Sequence, residues 1–188
     1  MKKSISLFLF LITIVISPCY SQKSLQLGAR LMNELTFFDG LAPGFGAQAV
    51  YRLTKHNGLE SGIYYQSRRI GFIVETNTGG STTIYNTQVA ERRIQLPLLY
   101  RFDSKAINFV AGVAFDYFLG WKDRSHTDEV KIIDYNRDAF SFSLQAGISH
   151  SFYLSPTLIL EPEAKFNLIV TDDDGGVGLN LSLRKIIF

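Results

Sequence analysis

From Ile94 onward, residues 91–102 place an apolar side chain at every second position. The polar positions include Arg93, Gln95 and Arg101, and the apolar positions are Ile94, Leu96, Leu98, Tyr100 and Phe102. Successive side chains on a β-strand point to opposite faces, so this stretch predicts a strand with one apolar and one polar face. Such a strand suits the wall of a soluble barrel or sandwich and equally the wall of a membrane barrel. Its neighbours and the placement of charge must decide between them.

Alternation of the same kind recurs along the chain and predicts eight strands in all. They fall at residues 25–32, 45–53, 59–68, 91–102, 107–119, 140–149, 158–168 and 177–184. These lengths are close to the roughly 10 residues that a tilted membrane-spanning strand requires. Long connections are expected at 36–43, 71–88 and 121–137, a modest one at 171–176, and short turns between the other pairs. This rhythm predicts an all-β, eight-stranded antiparallel up-and-down transmembrane barrel with both termini on the periplasmic side.

Charge is confined almost entirely to one parity of these strands. The apolar parity carries Arg69, Arg92 and Lys185, all near strand ends. The other parity carries Arg30, Arg52, Glu60, Arg68, Arg93, Arg101, Asp116, Glu161, Glu163 and Lys165. A basic side chain facing lipid at mid-membrane costs about 2–4 kcal/mol, so the charged parity is expected to face the lumen.

Eight strands enclose an interior that side chains can just fill. We therefore expect the inward charges to form an ion-pair network that plugs the lumen, for example Arg30 or Arg101 with Glu161, Glu163 or Asp116. A narrow gated pore is the alternative use of the same residues. The rival fold is a soluble periplasmic barrel of the lipocalin kind, which would turn the apolar parity inward to hold an apolar ligand.

Residues 1–21 are expected to be a cleaved signal peptide. Lys2 and Lys3 precede an apolar run, and a small-x-small site falls before Gln22. The apolar run is shorter than the roughly 20 residues that a membrane-spanning helix needs. The single cysteine, Cys19, lies in this segment, so the mature domain at 22–188 would contain no disulfide. That domain is electrically neutral, which gives no reason to expect nucleic acid as a partner.

Several of these features together resemble a known family. The signal peptide ending before Gln22, the strand IQLPLLYRF at 94–102, the segment FVAGVAFDYFLG at 109–120 and the terminal Phe188 resemble the Bacteroidota-type outer-membrane β-barrel family, which includes PorT-like proteins. The resemblance implies localisation in the bacterial outer membrane and, for the PorT-like members, an accessory role in protein secretion. Phe188 with Ile186 is similar to the terminal signal that the barrel-assembly machinery recognises, which would make that machinery a partner during biogenesis.

No arrangement of residues in the sequence indicates an enzyme, a cofactor or a metal site. Ser149, His150 and Ser151 form a suggestive cluster, but the topology places them at the periplasmic end of their strand. His126 falls in a charged outer loop, and the acidic residues 172–174 lack the ligand spacing of a calcium loop.

Contacts with the membrane and with other proteins are instead expected on the outside. Arg69 and Arg92 face outward near the top of adjacent strands, where they could contact lipopolysaccharide phosphates. The outer loops could hold an unknown protein partner. The sequence thus predicts a structural or interaction role. Pro97 and Pro162 fall inside predicted strands, where each is expected to mark a β-bulge.

Overall fold

A computed structural model describes residues 24–37, 40–78, 81–124, 138–170 and 174–187, with side chains left out at 72–87 and at 174. The described part of the chain contains no helix long and apolar enough to cross a membrane. Its strand segments are β1 (Ser24–Thr36), β2 (Gly40–Arg52), β3 (Asn57–Thr78), β4 (Ser81–Asp103), β5 (Asn108–Asp123), β6 (Phe140–Ser149), β7 (Phe152–Tyr153), β8 (Leu158–Ile169) and β9 (Asp174–Ile186).

These segments form one closed antiparallel sheet. Each strand from β1 to β6 pairs with the next one along the chain, β8 pairs with β9, and the ring closes where β1 meets β9 and β6 meets β8. The short β7 continues the line of β6, because Ser149 lies opposite Glu163 and Phe152 lies opposite Leu160 in one unbroken register. The nine segments therefore make eight barrel strands, which we call staves; β6 and β7 together form one of them. The predicted all-β, eight-stranded antiparallel up-and-down barrel is confirmed.

Two of the predicted long connections are wrong. β1 runs to Thr36 and pairs there with Gly40, the first residue of β2, so a tight turn replaces the expected loop at 36–43. Gly40 has a φ of +96°, a backbone conformation that glycine adopts without strain. The expected connection at 71–88 is a continuous ladder that ends with Thr78 opposite Ser81. Residues 125–137 of the third long connection and residues 171–173 of the modest one lie outside the described residues.

The ladder between β3 and β4 continues well beyond the barrel wall. β3 has its last partner on β2 at Gln66, and β4 has its last partner on β5 at Val89. Beyond these points the described residues of the two strands pair with each other, apart from one hydrogen bond that Arg124 N–H donates to the carbonyl oxygen of Gln88 at 2.8 Å. We call residues 71–78 and 81–88 the projecting hairpin. It rises from the upper rim, which is the end opposite the short turns and the first described residue, Ser24.

Both prolines interrupt a ladder without forming a bulge. The β3–β4 register is the same on either side of Pro97, although Gly62 and Ile63 on β3 have no partner there. Pro162 lies beside the gap between β6 and β7, again with an unchanged register. Because proline has no backbone N–H, neither residue can donate a hydrogen bond to a carbonyl oxygen of the neighbouring strand. The expectation of bulges at these prolines is wrong, and the register shift in this wall lies between Arg92 and Arg93.

The barrel has its polar side chains inside and its apolar side chains outside. Arg30, Glu60 and Arg101 are at most 1% exposed, whereas the outward side chains of Leu31 and Ile63 are 63% and 60% exposed. The same inversion runs through every long stave, since inward and outward positions alternate along each of them. A water-soluble barrel would show the opposite arrangement.

Candidate functional site

The interior holds two groups of charged side chains, one above the other. The lower cluster lies towards the short turns and contains as many arginines as carboxylates: Arg30, Arg52, Arg101, Arg184, Glu60, Asp103, Glu161 and Glu163. The upper cluster lies towards the projecting hairpin: Arg68, Arg93, Lys165, Glu34, Glu91 and Asp116. Each cluster balances its own charge. This balance is what a region with little water requires, because an unpaired buried charge is costly.

Arg101 on β4 is the most connected side chain of the lower cluster. Its guanidinium contacts Glu60 on β3 at 2.9 Å and Asp103 on its own strand at 2.7 Å. It also donates two hydrogen bonds to Glu161 on β8, on the opposite wall of the barrel. A planar guanidinium can bind a carboxylate through two donors and still reach others, which suits arginine to this position.

Arg30 on β1 joins three other staves. Its Nη2 contacts Glu60 on β3 at 2.8 Å and Glu163 on β8 at 3.1 Å, and its Nε donates to Ser182 on β9 at 2.8 Å. The guanidinium also lies 5.7 Å from the ring centroid of the buried Tyr64, within the range of a cation–π contact. These bonds join β1 to strands up to two positions away on either side, so this part of the wall cannot shift without breaking them.

Glu161 on β8 is the carboxylate on which the lower cluster converges. It contacts Arg184 at 2.5 Å and accepts hydrogen bonds from Ser151 at 2.7 Å and Asn108 at 3.3 Å, besides those from Arg101. A carboxylate can accept about four hydrogen bonds, so these donors use its capacity. Arg52, at the lower mouth, closes the cluster through an ion pair with Asp103 at 2.9 Å.

The upper cluster relies more on amides. Arg93 contacts Glu91 at 2.6 Å, two residues along β4. Side-chain amides and the ammonium group contribute further bonds: Gln95 donates to Asp116 at 3.0 Å, Lys165 donates to Gln145 at 3.0 Å, and Asn167 donates to Glu34 at 2.9 Å.

The structure places the expected lumen residues together. Nine of them are buried inside the barrel: Arg30, Glu60, Arg68, Arg93, Arg101, Asp116, Glu161, Glu163 and Lys165. Arg52 is the exception, since its side chain is 15% exposed at the lower mouth. The suggested pairings of Arg30 with Glu163 and of Arg101 with Glu161 are present. Asp116 instead faces Gln95, because it belongs to the upper cluster.

Four members of the two clusters were not anticipated from the sequence. They are Glu34, Glu91, Asp103 and Arg184. Each lies at the end of a predicted strand or just outside it, where the alternation of polarity gave no clear boundary. The parity of a neighbour would have found them, because Asp103 lies two residues from Arg101 and Arg184 lies two residues from Ser182 on the same faces.

The arginines expected to contact lipopolysaccharide and the residues of the expected assembly signal do not belong to the two charged clusters. Arg69 and Arg92 are exposed on the outer face of β3 and β4. Ile186 points inward and is half-buried opposite Gln26, while Phe188 lies outside the described residues.

Among the described residues considered for catalysis, Ser149 and His150 lie on different faces of the barrel wall. Ser149 is buried and the neighbouring His150 is exposed on the other face of the strand, so they do not form a catalytic pair. His126 and residues 172–173 fall outside the described part of the chain. Within the described ranges, no three His, Cys, Asp or Glu side chains are grouped to hold a metal ion.

Comparison with known proteins finds similar barrels among solved structures. Ail, the attachment invasion locus protein of Yersinia pestis, solved with the heparin analogue sucrose octasulfate, is 14% identical with a TM-score of 0.44, covering 88% of this chain and 97% of that one. Neisserial surface protein A is 16% identical with a TM-score of 0.43 and the same coverage. The N-terminal β-barrel domain of Pseudomonas aeruginosa OprF is 11% identical with a TM-score of 0.45, covering 87% and 99%.

No family model and no curated protein matches the chain. The resemblance to PorT-like proteins, and the secretion role that it implies, therefore stay predictions. Identities as low as those of the solved barrels support no conclusion about activity or partners.

Proposed function

We propose that this protein is an integral outer-membrane β-barrel whose lumen is plugged by ion pairs and whose outer end binds a protein partner. The inversion of polarity supports the membrane assignment most directly. Leu31, Ile63 and Leu98 project from the middle of three staves and are each at least 58% exposed, an arrangement that water penalises and lipid does not. A closed barrel also pairs the first strand with the last, so no sheet edge faces lipid.

The soluble lipocalin-like alternative requires an apolar interior. The described inner wall instead carries Arg30, Glu60, Arg101 and Glu161, all at most 1% exposed. An apolar ligand would have to displace this network and leave charges without partners, which is strongly unfavourable. The interior therefore favours the membrane barrel.

The two rims support an orientation in the membrane. Exposed aromatic side chains lie at the lower rim, among them Tyr100, Phe102 and Phe152, and others lie at the upper rim, among them Tyr117 and Phe140. Two aromatic belts are typical of membrane barrels. Because short turns face the periplasm in such barrels, the projecting hairpin would point to the cell exterior.

The plug is proposed from the contacts that cross the lumen. Arg30 on β1 reaches Glu163 two strands away on β8, and Arg101 on β4 reaches Glu161 three strands away on β8, so charged side chains from non-adjacent strands meet inside the barrel. An eight-stranded barrel has little interior space beyond that of its side chains. Purified protein in planar bilayers should therefore show no stepwise conductance, and regular unit steps would contradict the plug.

The interaction role is proposed from the projecting hairpin. Past Gln66 and before Gln88, no strand partner is found on the outer edges of this hairpin among the described residues. Natural edge strands are commonly protected by lysine or proline, yet residues 71–88 contain neither and include one charged residue, Glu75. Such an edge can accept an extended segment of another protein as an added strand.

Single-cysteine labelling tests the membrane placement and the orientation together. The mature chain is expected to lack cysteine, so Asn77→Cys in the hairpin and Ser104→Cys in a short turn each introduce one thiol. A membrane-impermeant maleimide should label Asn77→Cys in intact cells and Ser104→Cys only after the outer membrane is permeabilised. Equal labelling of both in intact cells, or of neither before permeabilisation, would contradict the proposal.

Heat-dependent mobility provides the independent check. A closed membrane barrel resists SDS until it is heated, so unboiled protein should migrate faster than boiled protein. A variant lacking residues 72–87, with Gly71 joined to Gln88 through Asn-Gly, serves as the matched control because Gly71 lies opposite Gln88 in the ladder. It should keep the mobility shift and, with Cys in place of the linker Asn, should fail to form the partner cross-link that Asn77→Cys gives in the full-length hairpin. An identical cross-link formed from the shortened hairpin would exclude the hairpin as the binding element.

A further inference from the structure

The apolar outer wall carries a groove over one side of the barrel. Its floor is made of small side chains, because Ala111 on β5 lies directly across from Ala146 on β6, and Ala164 on β8 lies across from Ile148. Larger side chains form its sides, with Phe166 at 44% and Leu179 at 73% exposure. The volume of this upper depression is about 760 Å³.

A second depression of about 640 Å³ adjoins the first and continues towards the lower rim. The two share Ala164 and Leu179, and the lower one ends at Ile107 and His150. Leu31 and Pro162 complete its walls. The two depressions therefore make one apolar surface recess that leads down to the membrane edge.

A basic pocket begins where the recess ends. It has a volume of about 400 Å³ and shares His150 with the lower depression. Lys55 and Lys105, from two different turns, contribute exposed ammonium groups. The carboxylate of this pocket, Asp103, is already bound by Arg52 at 2.9 Å and by Arg101 at 2.7 Å. The pocket therefore has cationic groups that its own carboxylate does not balance.

His150 is held in place at the junction. Its Nδ1 lies 2.5 Å from the carbonyl oxygen of Ala106, and its ring packs edge-on against Phe152 at 4.7 Å. A carbonyl oxygen only accepts, so Nδ1 donates and Nε2 is the ring nitrogen left for another partner. The ring thus fixes one polar atom beside the two lysines.

We propose that the recess and the basic pocket together form a binding site for one anionic diacyl phospholipid of the inner leaflet. The continuous apolar recess suits the acyl portion of a lipid, and the pocket at its lower end suits a phosphate group with a net negative charge. Lysine ammonium groups bind phosphate well as point charges. This inference rests on the proposed membrane placement of the barrel.

A second copy of the barrel is the competing occupant, and charge disfavours it. Lys185 is an exposed charged side chain at an outward position near the lower end of β9, and it is basic like the pocket. A neighbouring wall would thus bring cations towards Lys105 where a carboxylate or phosphate is needed. Like charges brought together without a counterion oppose association.

The test uses the full mature barrel folded into vesicles of equal parts phosphatidylglycerol and phosphatidylcholine. After mild detergent extraction, native mass spectrometry counts the lipids that each barrel retains. Ala146→Phe fills the groove, and Lys105→Gln with His150→Gln removes the basic end while keeping hydrogen-bonding groups. Ala29→Phe is the matched control, because Ala29 is an exposed outward alanine that lines neither depression.

The wild type and Ala29→Phe should each retain one phosphatidylglycerol per barrel. Ala146→Phe should lose it. The double variant should lower the ratio of phosphatidylglycerol to phosphatidylcholine about tenfold, the effect of roughly one charge-assisted contact. Equal retention by the wild type and Ala146→Phe, or an unchanged ratio in the double variant, would overturn the proposal.

Two further arms separate the other occupants. Millimolar inorganic phosphate should leave the lipid bound, and its displacement by phosphate would show a free-phosphate site instead. A dimer that Ala146→Phe converts to a monomer would identify a second copy as the occupant and overturn the lipid site. A barrel that keeps its heat-dependent mobility but shows no lipid preference would overturn this inference alone, whereas loss of that mobility shift in the wild type would contradict the membrane placement.

Discussion

Replacing Glu161 with Gln should destabilise the barrel more than any other isosteric change in the interior. Glu161 is fully buried and is the sole ion-pair partner of Arg184 in the described part of the chain. The Nε and Nη1 atoms of Arg184 have no hydrogen-bond partner, so its charge is balanced through Nη2 and Glu161 alone. Glu161→Gln keeps the volume and leaves this guanidinium buried without a counterion, which costs about 3–5 kcal/mol.

Glu163→Gln is the matched control for this prediction. Arg30 would keep Glu60 at 2.8 Å and Ser182 at 2.8 Å, so no charge is left without a partner. The loss should then be that of one hydrogen bond to a charged group, about 1.5–3 kcal/mol. In Glu161→Gln combined with Arg184→Met, the uncompensated charge is removed, and the double variant should recover about 0.5–3 kcal/mol relative to Glu161→Gln alone.

Equilibrium urea unfolding of the barrel in lipid vesicles measures these differences. The heat-dependent gel mobility reports the folded fraction, and the emission of Trp121, the one tryptophan of the chain, gives a second signal. Coincident transitions from the two signals would license a two-state treatment. If Glu161→Gln unfolds within about 1 kcal/mol of the wild type, the reasoning that Arg184 depends on Glu161 is refuted.

Three further changes probe the outer wall, a strand and the upper rim. Leu98→Arg should cost about 2–4 kcal/mol in vesicle unfolding and Leu154→Arg, in a lower turn, at most about 1 kcal/mol; equal costs would contradict the lipid-facing assignment. In Pro97→Ala, the new backbone amide should exchange its hydrogen slowly, because β3 offers a carbonyl acceptor there. Fast exchange would show that the ladder is open for another reason. Replacing Arg69 and Arg92 together with Ser should reduce the lipopolysaccharide that copurifies with the barrel without altering its heat-dependent mobility, and unchanged lipopolysaccharide would remove that contact.

The barrel could be predicted from the sequence because the inner face of its wall is polar and the outer face is apolar. Wherever both faces are consistent, as in β5 from Phe109 to Tyr117, alternation gives the strand, its inward side and the closed architecture. The inward position of Arg30, Arg101 and Glu161 follows from parity in the same way.

Strand ends could not be predicted from the same signal. In the projecting hairpin no face is set against a barrel wall, so residues such as Thr76 and Thr83 show no alternation although their backbones pair. Register alone decides where a ladder stops. For that reason Glu34 and Arg184, which lie near strand ends, were not predicted as members of the clusters. The choice of partner within a cluster also depends on the stagger of distant staves, which no local pattern contains.

The ion pairs of the lower cluster have a consequence for how the chain can fold. Arg30 near the beginning of the barrel is bonded to Glu163, 133 residues later, and Arg101 is bonded to Glu161, 60 residues later. Until the last stave docks against the first, these charges face each other across an open, unclosed sheet and have water as their main partner. Closure and drying of the interior must then occur in a single cooperative step late in assembly. A chain truncated before β8 would form no stable partial barrel. Incomplete chains should therefore differ from complete ones in that they do not insert into the membrane.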